Sequence, residues 1–144
     1  MIEGAIDLRL GSPCDPPPDL VIDAMASAAD SLGPYGKSVG SPVFRQAAAD
    51  WMRRRRDVEI DPESVAACVG TKEFVAGLAL LLGAGCGRGR DTVLIPAVAY
   101  PTYAVGAELA GCRVVRVPMA DRFTLDLAGV DADDAARSRL LWVN

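Results

Sequence analysis

The 144-residue chain is 51% apolar and 24% charged, carries a net charge of −4 and contains no histidine. The length suits one domain with a core of its own, or part of a larger one. The acidic balance argues against a general nucleic-acid or membrane-surface binder, and the absence of histidine removes Ser-His-Asp, Cys-His and His-ligated metal chemistry.

"MIEGAIDLRL" lacks the basic-then-apolar order of a signal peptide, and no apolar run approaches the ~20 residues of a membrane span. An extended "AIDLRL" leads into the Pro-rich "GSPCDPPPD", after which Asp19 opens a helix expected to reach about Ser31, with Leu20, Ile22, Met25 and Ala29 inward. "LGPYGKSVGSP" is a Gly/Pro/Ser loop ending in Ser41-Pro42, an N-cap followed by proline at the first helical position. The next helix is expected to run to about Arg56, with Phe44, Ala47, Ala48, Trp51 and Met52 forming one apolar face. Its basic end, Arg53–Arg56, complements the negative end of the helix dipole and reads as a solvated terminus.

"VAACV" is expected to be a short strand, followed by Gly70-Thr71 and a helix through Leu82 that buries Phe74, Val75, Leu78, Leu81 and Leu82. "GAGCGRGR" follows a helix and precedes a strand, the reverse of the dinucleotide fingerprint, so it reads as a loop; there is no GK[ST] either. "TVLIP" is a buried strand, "YPTYAVGAELAG" supplies a helix, and "CRVVRVP" is another strand. A polar stretch ending in a short helix or turns then leads to "LLWVN", again a buried strand that needs neighbours on both sides. Strands alternating with helices in this way indicate an α/β layer with a largely parallel sheet. The four cysteines, Cys14, Cys68, Cys86 and Cys112, make no CxxC pair and no metal-ligand spacing, which fits reduced thiols in a cytoplasmic protein.

Chemistry has two candidate places. At Gly70-Thr71-Lys72 the first-turn N–H groups of a helix point outward with the positive end of the dipole, as a phosphate or carboxylate site requires. Lys72 opposes that dipole and makes better sense beside an anion, with Glu73 as a partial offset; an ordinary capped helix is the alternative. Tyr100 and Tyr103 stand at the strand-to-helix junction one element later, along the same sheet edge. An anion cradle beside an aromatic plate suits a ligand with a phosphate and a flat ring; aromatics packing a helix start are the alternative.

In order along the chain, these segments resemble the N-terminal portion of class I/II aminotransferases, fold-type I enzymes that use pyridoxal phosphate. "LRLGSPCDPPP" is similar to the family's Gly-x-Pro segment and "YGKSVGSPVFRQAAADWM" to its Tyr-x4-Gly-x-Pro-x-x-Arg segment. "VGTKEFVAGLALLL" resembles the phosphate-binding turn and helix, "PAVAYPTYAVGAELAG" the ring-stacking segment, and "LLWVN" the strand before the Asn-Pro-x-Gly motif. GTKE followed by AYPTYxVGAxLAG most resembles actinobacterial succinyldiaminopimelate aminotransferases.

The resemblance implies a three-layer α/β/α fold with a mainly parallel sheet, incomplete here. It assigns residues 1–45 to an arm, helix and loop on the substrate and dimer side, and residues 46–144 to the first part of the large cofactor-binding domain. It implies that Gly70, Thr71 and Lys72 hold the phosphate of pyridoxal phosphate and that Tyr100 stacks on its ring. Tyr35 would reach across a homodimer to the partner subunit's cofactor, and the Gly11 backbone would lie near the substrate carboxylate. Tyr103 is a packing aromatic. No catalytic residue and no metal ligand is carried over. Neither lysine of the chain, Lys37 or Lys72, matches the family's Schiff-base lysine, and Asn144 does not match the Asn-Pro-x-Gly asparagine. The implied reaction moves an amino group between N-succinyl-diaminopimelate and 2-oxoglutarate/glutamate in a cytoplasmic enzyme of lysine synthesis, and these 144 residues by themselves are not expected to turn over. The rival expectations are a non-catalytic α/β fragment and another fold-type I enzyme of the same cofactor.

Overall fold

Three apolar runs of the chain become strands because each finds a parallel partner. In the computed structural model, which describes residues 11–83 and 89–144, β1 (Thr92–Pro96), β2 (Arg113–Val117) and β3 (Ser138–Leu141) form one parallel sheet in the order β2-β1-β3. The central strand β1 is buried along its whole length, as expected of a strand covered on both faces, and the outer strands are only partly buried. The parallel α/β layer expected from the sequence is therefore present.

The chain divides into two compact units, Met1–Lys37 and Ser38–Asn144. The first contains α1 (Asp19–Ser27), which ends earlier than expected and passes into a 3-10 turn over Ala29–Leu32. Leu20, Ile22, Met25 and Ala29, expected inward, are exposed, and no residue of α1 is buried. Amphipathic spacing states only a preference for a face; the described part of this unit supplies no core to receive it.

The second unit contains α2 (Pro42–Arg56), α3 (Thr71–Leu81), α4 (Thr102–Leu109) and α5 (Ala132–Arg137) around the sheet. The Ser41 hydroxyl caps α2 by accepting the Phe44 N–H at 3.1 Å, with Pro42 in the first turn, as expected. Arg53–Arg56 are exposed at its far end, where the Arg56 guanidinium lies 5.9 Å over the Trp51 ring. The expected apolar face of α2 is corrected: Phe44, Ala47 and Trp51 are exposed, and the helix turns Arg45 and Ala49 inward instead. The expected strand at "VAACV" is also corrected. Residues 65–69 join no ladder among the described residues, because the one backbone bond they make to a distant segment runs from Ala67 N–H to Val39 O at 3.0 Å. The expected buried face of α3 is likewise corrected: Phe74, Leu81 and Leu82 are exposed, Val75 and Leu78 are half-buried, and the buried residue of the helix is Ala79.

The core gathers Ala79 of α3, Val93 and Ile95 of β1, Ala107 of α4 and Cys112, with Tyr103, Leu140 and Trp142 packed against it. Small residues at the α3–α4 crossing let the two backbones approach closely. The sheet is pinned at one end by Arg137, whose Nε–H and Nη2–H donate to the two Asp91 carboxylate oxygens at 3.0 and 2.5 Å. That fork spans the start of β1 and the start of β3, beside the register irregularity between Thr92 and Val93, and it holds the Asp91 carboxyl below the usual carboxylate range. "AIDLRL" and the "AGCGR" core of the glycine loop, Cys86 included, lie outside the described residues. Among the described residues no helix is long and apolar enough to cross a membrane, and no cluster of His, Cys, Asp and Glu is arranged to hold a metal ion.

Candidate functional site

Gly70 sets the turn before α3. Its φ of 77° with ψ of 155° lies in a region that L side chains rarely adopt, so glycine is the residue this turn requires. The space beside its Cα is open, with no atom within 4 Å of where a Cβ would stand. No side chain caps the helix that follows. Instead of capping, the Glu73 carboxylate folds back and accepts the Val69 N–H, while Glu73 N–H donates to Gly70 O at 3.2 Å. Thr71 and Lys72 are exposed in the first turn. Their main-chain donors, the Thr71 hydroxyl and the Lys72 ammonium make a donor set suited to a dianionic phosphate.

Tyr100 follows β1, just before Pro101 and the start of α4, and is 44% exposed. Its phenol is held below the ordinary tyrosine value chiefly by the Thr102 side chain, which hydrogen-bonds to it, and further by the charge and hydrogen bond of Lys72. The charge of Lys72, on the α3 turn, is thus felt at the Tyr100 phenol, although the segment before that turn is not a strand of the sheet. Lys72→Met is expected to raise the Tyr100 pKa part of the way to the ordinary tyrosine value, because the cation that favours the phenolate is gone while Thr102 remains. Ultraviolet difference titration against a Tyr100→Phe reference checks this; an unshifted phenol would contradict it.

Tyr100 meets Tyr103 edge-on, with ring centroids 5.9 Å apart. Tyr103 in turn stacks on Trp142 at 4.7 Å, and Trp142 meets Phe74 of α3 edge-on at 6.5 Å. Tyr103 is therefore internal packing, whereas Tyr100 touches it edge-on and stays 44% exposed. Two contributors were not legible in the sequence. Thr102 carried only the weak signal of a hydroxyl two residues after the aromatic. Trp142 sits 39 positions from Tyr103 and carried none. Gly11 and Tyr35 both belong to the first unit and are exposed, Tyr35 fully. The described residues fit a flat, phosphate-bearing group: a turn open where a side chain would stand, uncapped donors, and an exposed ring next to a cation.

A family model described as aminotransferase class I and II matches residues 3–144. The 4-dedimethylamino-4-oxo-anhydrotetracycline transaminase OxyQ of Streptomyces rimosus is 48% identical over 111 residues, covering 77% of this chain and 30% of that protein. The LL-diaminopimelate aminotransferase of Aquifex aeolicus is 37% identical over 145 residues, covering 96% of this chain and 36% of its own length. Among solved structures, a probable N-succinyldiaminopimelate aminotransferase from Thermus thermophilus superposes with a TM-score of 0.76 at 33% identity, over 96% of this chain and 37% of that one. The chain spans about a third of the length of the relatives it matches.

Proposed function

The chain belongs to the class I and II aminotransferases, whose members depend on pyridoxal phosphate, and on that premise we propose that its α3 turn and Tyr100 form a wall of the cofactor site. The observation that carries this reading is the start of α3, where Gly70 at φ 77° and ψ 155° opens an uncapped first turn with no atom within 4 Å of where its Cβ would stand. Thr71 and the first-turn N–H groups bind the phosphate, Tyr100 lies under the ring, and Lys72 neutralises charge between them. Pyridoxal phosphate, when bound, supplies an electron sink for bond changes at the amino-bearing carbon. The residues of this chain bind and orient it. Neither of its lysines is assigned the proton transfer, so no turnover is expected from these 144 residues alone.

For the complete reaction we infer amino transfer between N-succinyl-diaminopimelate and 2-oxoglutarate/glutamate, supported by the diaminopimelate aminotransferases among its relatives. Tyr35, fully exposed in its loop, is assigned to a partner subunit's cofactor in a cytoplasmic homodimer, and Gly11 to the substrate carboxylate, both on the family resemblance. A second reading of the substrate, a polycyclic ketone, is favoured by the 48% identity to the oxo-anhydrotetracycline transaminase.

The site is tested with pyridoxamine phosphate and pyridoxamine, whose amines do not condense with Lys37 or Lys72. Calorimetric titration is expected to show the phosphorylated form binding at least about tenfold tighter, equivalent to ~1.4 kcal/mol. Equal affinities would remove the phosphate site.

A further inference from the structure

The segment that delivers Gly70 to its place is not held by a sheet: residues 65–69 join no ladder among the described residues. It is held by α2. Arg45 is only 7% exposed, an unusual burial for an arginine, and its side chain is committed to this one task. Its Nε–H donates to both Pro62 O and Val65 O, at 2.9 and 2.8 Å, and its Nη2 pairs with the Glu63 carboxylate at 3.1 Å. Two residues further on, Ala67 N–H donates to Val39 O at 3.0 Å. Gly40 lets that contact form, because a Cβ there would stand 3.0 Å from the Ala67 Cβ and 3.2 Å from Phe44 Cδ1. From Ala67 the chain runs directly into the turn, where Gly70 N–H donates to Cys68 O at 2.9 Å and Val69 N–H donates to the Glu73 carboxylate. Between Pro62 and Thr71 the backbone is thus fastened to α2 at one end and to the first turn of α3 at the other.

We propose that Arg45, seated with Gly40, is a positioning residue for the phosphate turn: its guanidinium fixes residues 62–65, the Val39–Ala67 bond beside Gly40 fixes the next step, and together they set where Gly70, Thr71 and Lys72 present their donors. This rests on the reading of that turn as a phosphate site. The requirement is for a planar fork, since one nitrogen serves two carbonyls while another holds a carboxylate; a lysine ammonium on a flexible stem cannot keep that arrangement. A side chain that only stabilised the fold would weaken binding of any ligand in proportion to lost folded protein. One that positions the turn selectively weakens recognition of phosphate.

The test compares pyridoxamine phosphate with pyridoxamine on the unmodified chain, on Arg45→Lys and on Glu63→Gln, by calorimetry on folded protein. Arg45→Lys is expected to cut the preference for the phosphorylated form roughly five- to tenfold while pyridoxamine affinity stays unchanged. Glu63 is 81% exposed, so Glu63→Gln is expected to fold normally and to cut the preference by a smaller factor of about two. If Arg45→Lys fails to fold, the Glu63→Gln ratio decides. A preserved preference in the variants, with or without lost thermal stability, overturns the positioning role. No preference in the unmodified chain overturns the phosphate site itself, a distinguishable result.

Discussion

Gly106→Ala is expected to destabilise the chain by about 1–3 kcal/mol, or more if α3 and α4 cannot part. A Cβ at this position would lie 2.5 Å from Ala76 O and 3.0 Å from Ala76 C and Cα. All three obstacles are backbone, so no rotamer change relieves them and the helices must separate. Separation reaches into the core, because Ala79 and Ala107 of the same two helices are buried there beside Val93 and Ile95. Gly77→Ala is the control. It sits inside α3 with nothing within 4 Å of its would-be Cβ, and the better helix propensity of alanine is expected to leave stability unchanged or raise it by up to ~1 kcal/mol. Urea unfolding of the two variants checks the contrast. Equal midpoints would show that the crossing is looser than the structure has it.

Gly70→Ala is expected to act differently, with a moderate loss of stability and a large loss of phosphate recognition. Because the space around Gly70 is open, the cost is torsional rather than steric, about 1–3 kcal/mol for holding an L residue at φ 77° and ψ 155°. The chain escapes that cost by rotating the peptide that presents the Thr71 N–H. The expected outcome is at least a tenfold weaker affinity for pyridoxamine phosphate, the equivalent of ~1.4 kcal/mol, with pyridoxamine affinity held by the Tyr100 ring. Unchanged binding of the phosphorylated form would show that the turn conformation is not what makes the site.

These two glycines illustrate what the sequence revealed and what it concealed. The glycine before Thr71 was legible as a turn because a helix signal follows it, and Tyr100 was legible as a strand-end aromatic. Tyr103 was legible as packing, and it does stack internally on Trp142. Gly106 looked like one small residue in an alanine-rich helix; its significance depends on Ala76, 30 positions earlier. Apolar spacing misplaced the inward face of α2 for the same reason. It rewards Phe44 and Trp51, whereas the buried side chain is Arg45, whose partners lie 17 and 20 residues on. An apolar run such as "VAACV" has strand composition, but a strand also needs a ladder partner, and composition does not name one. Local chemistry was readable, and pairings across the chain were not.

The central claim is that the start of α3 and Tyr100 together receive a phosphorylated pyridine. It is tested most directly by mapping amide chemical-shift changes while pyridoxamine phosphate is added to isotopically labelled protein. The largest changes are expected at Gly70, Thr71, Lys72 and Tyr100, with the α3-turn changes absent when pyridoxamine replaces its phosphate ester. Shifts centred elsewhere, or identical for both ligands, would contradict it.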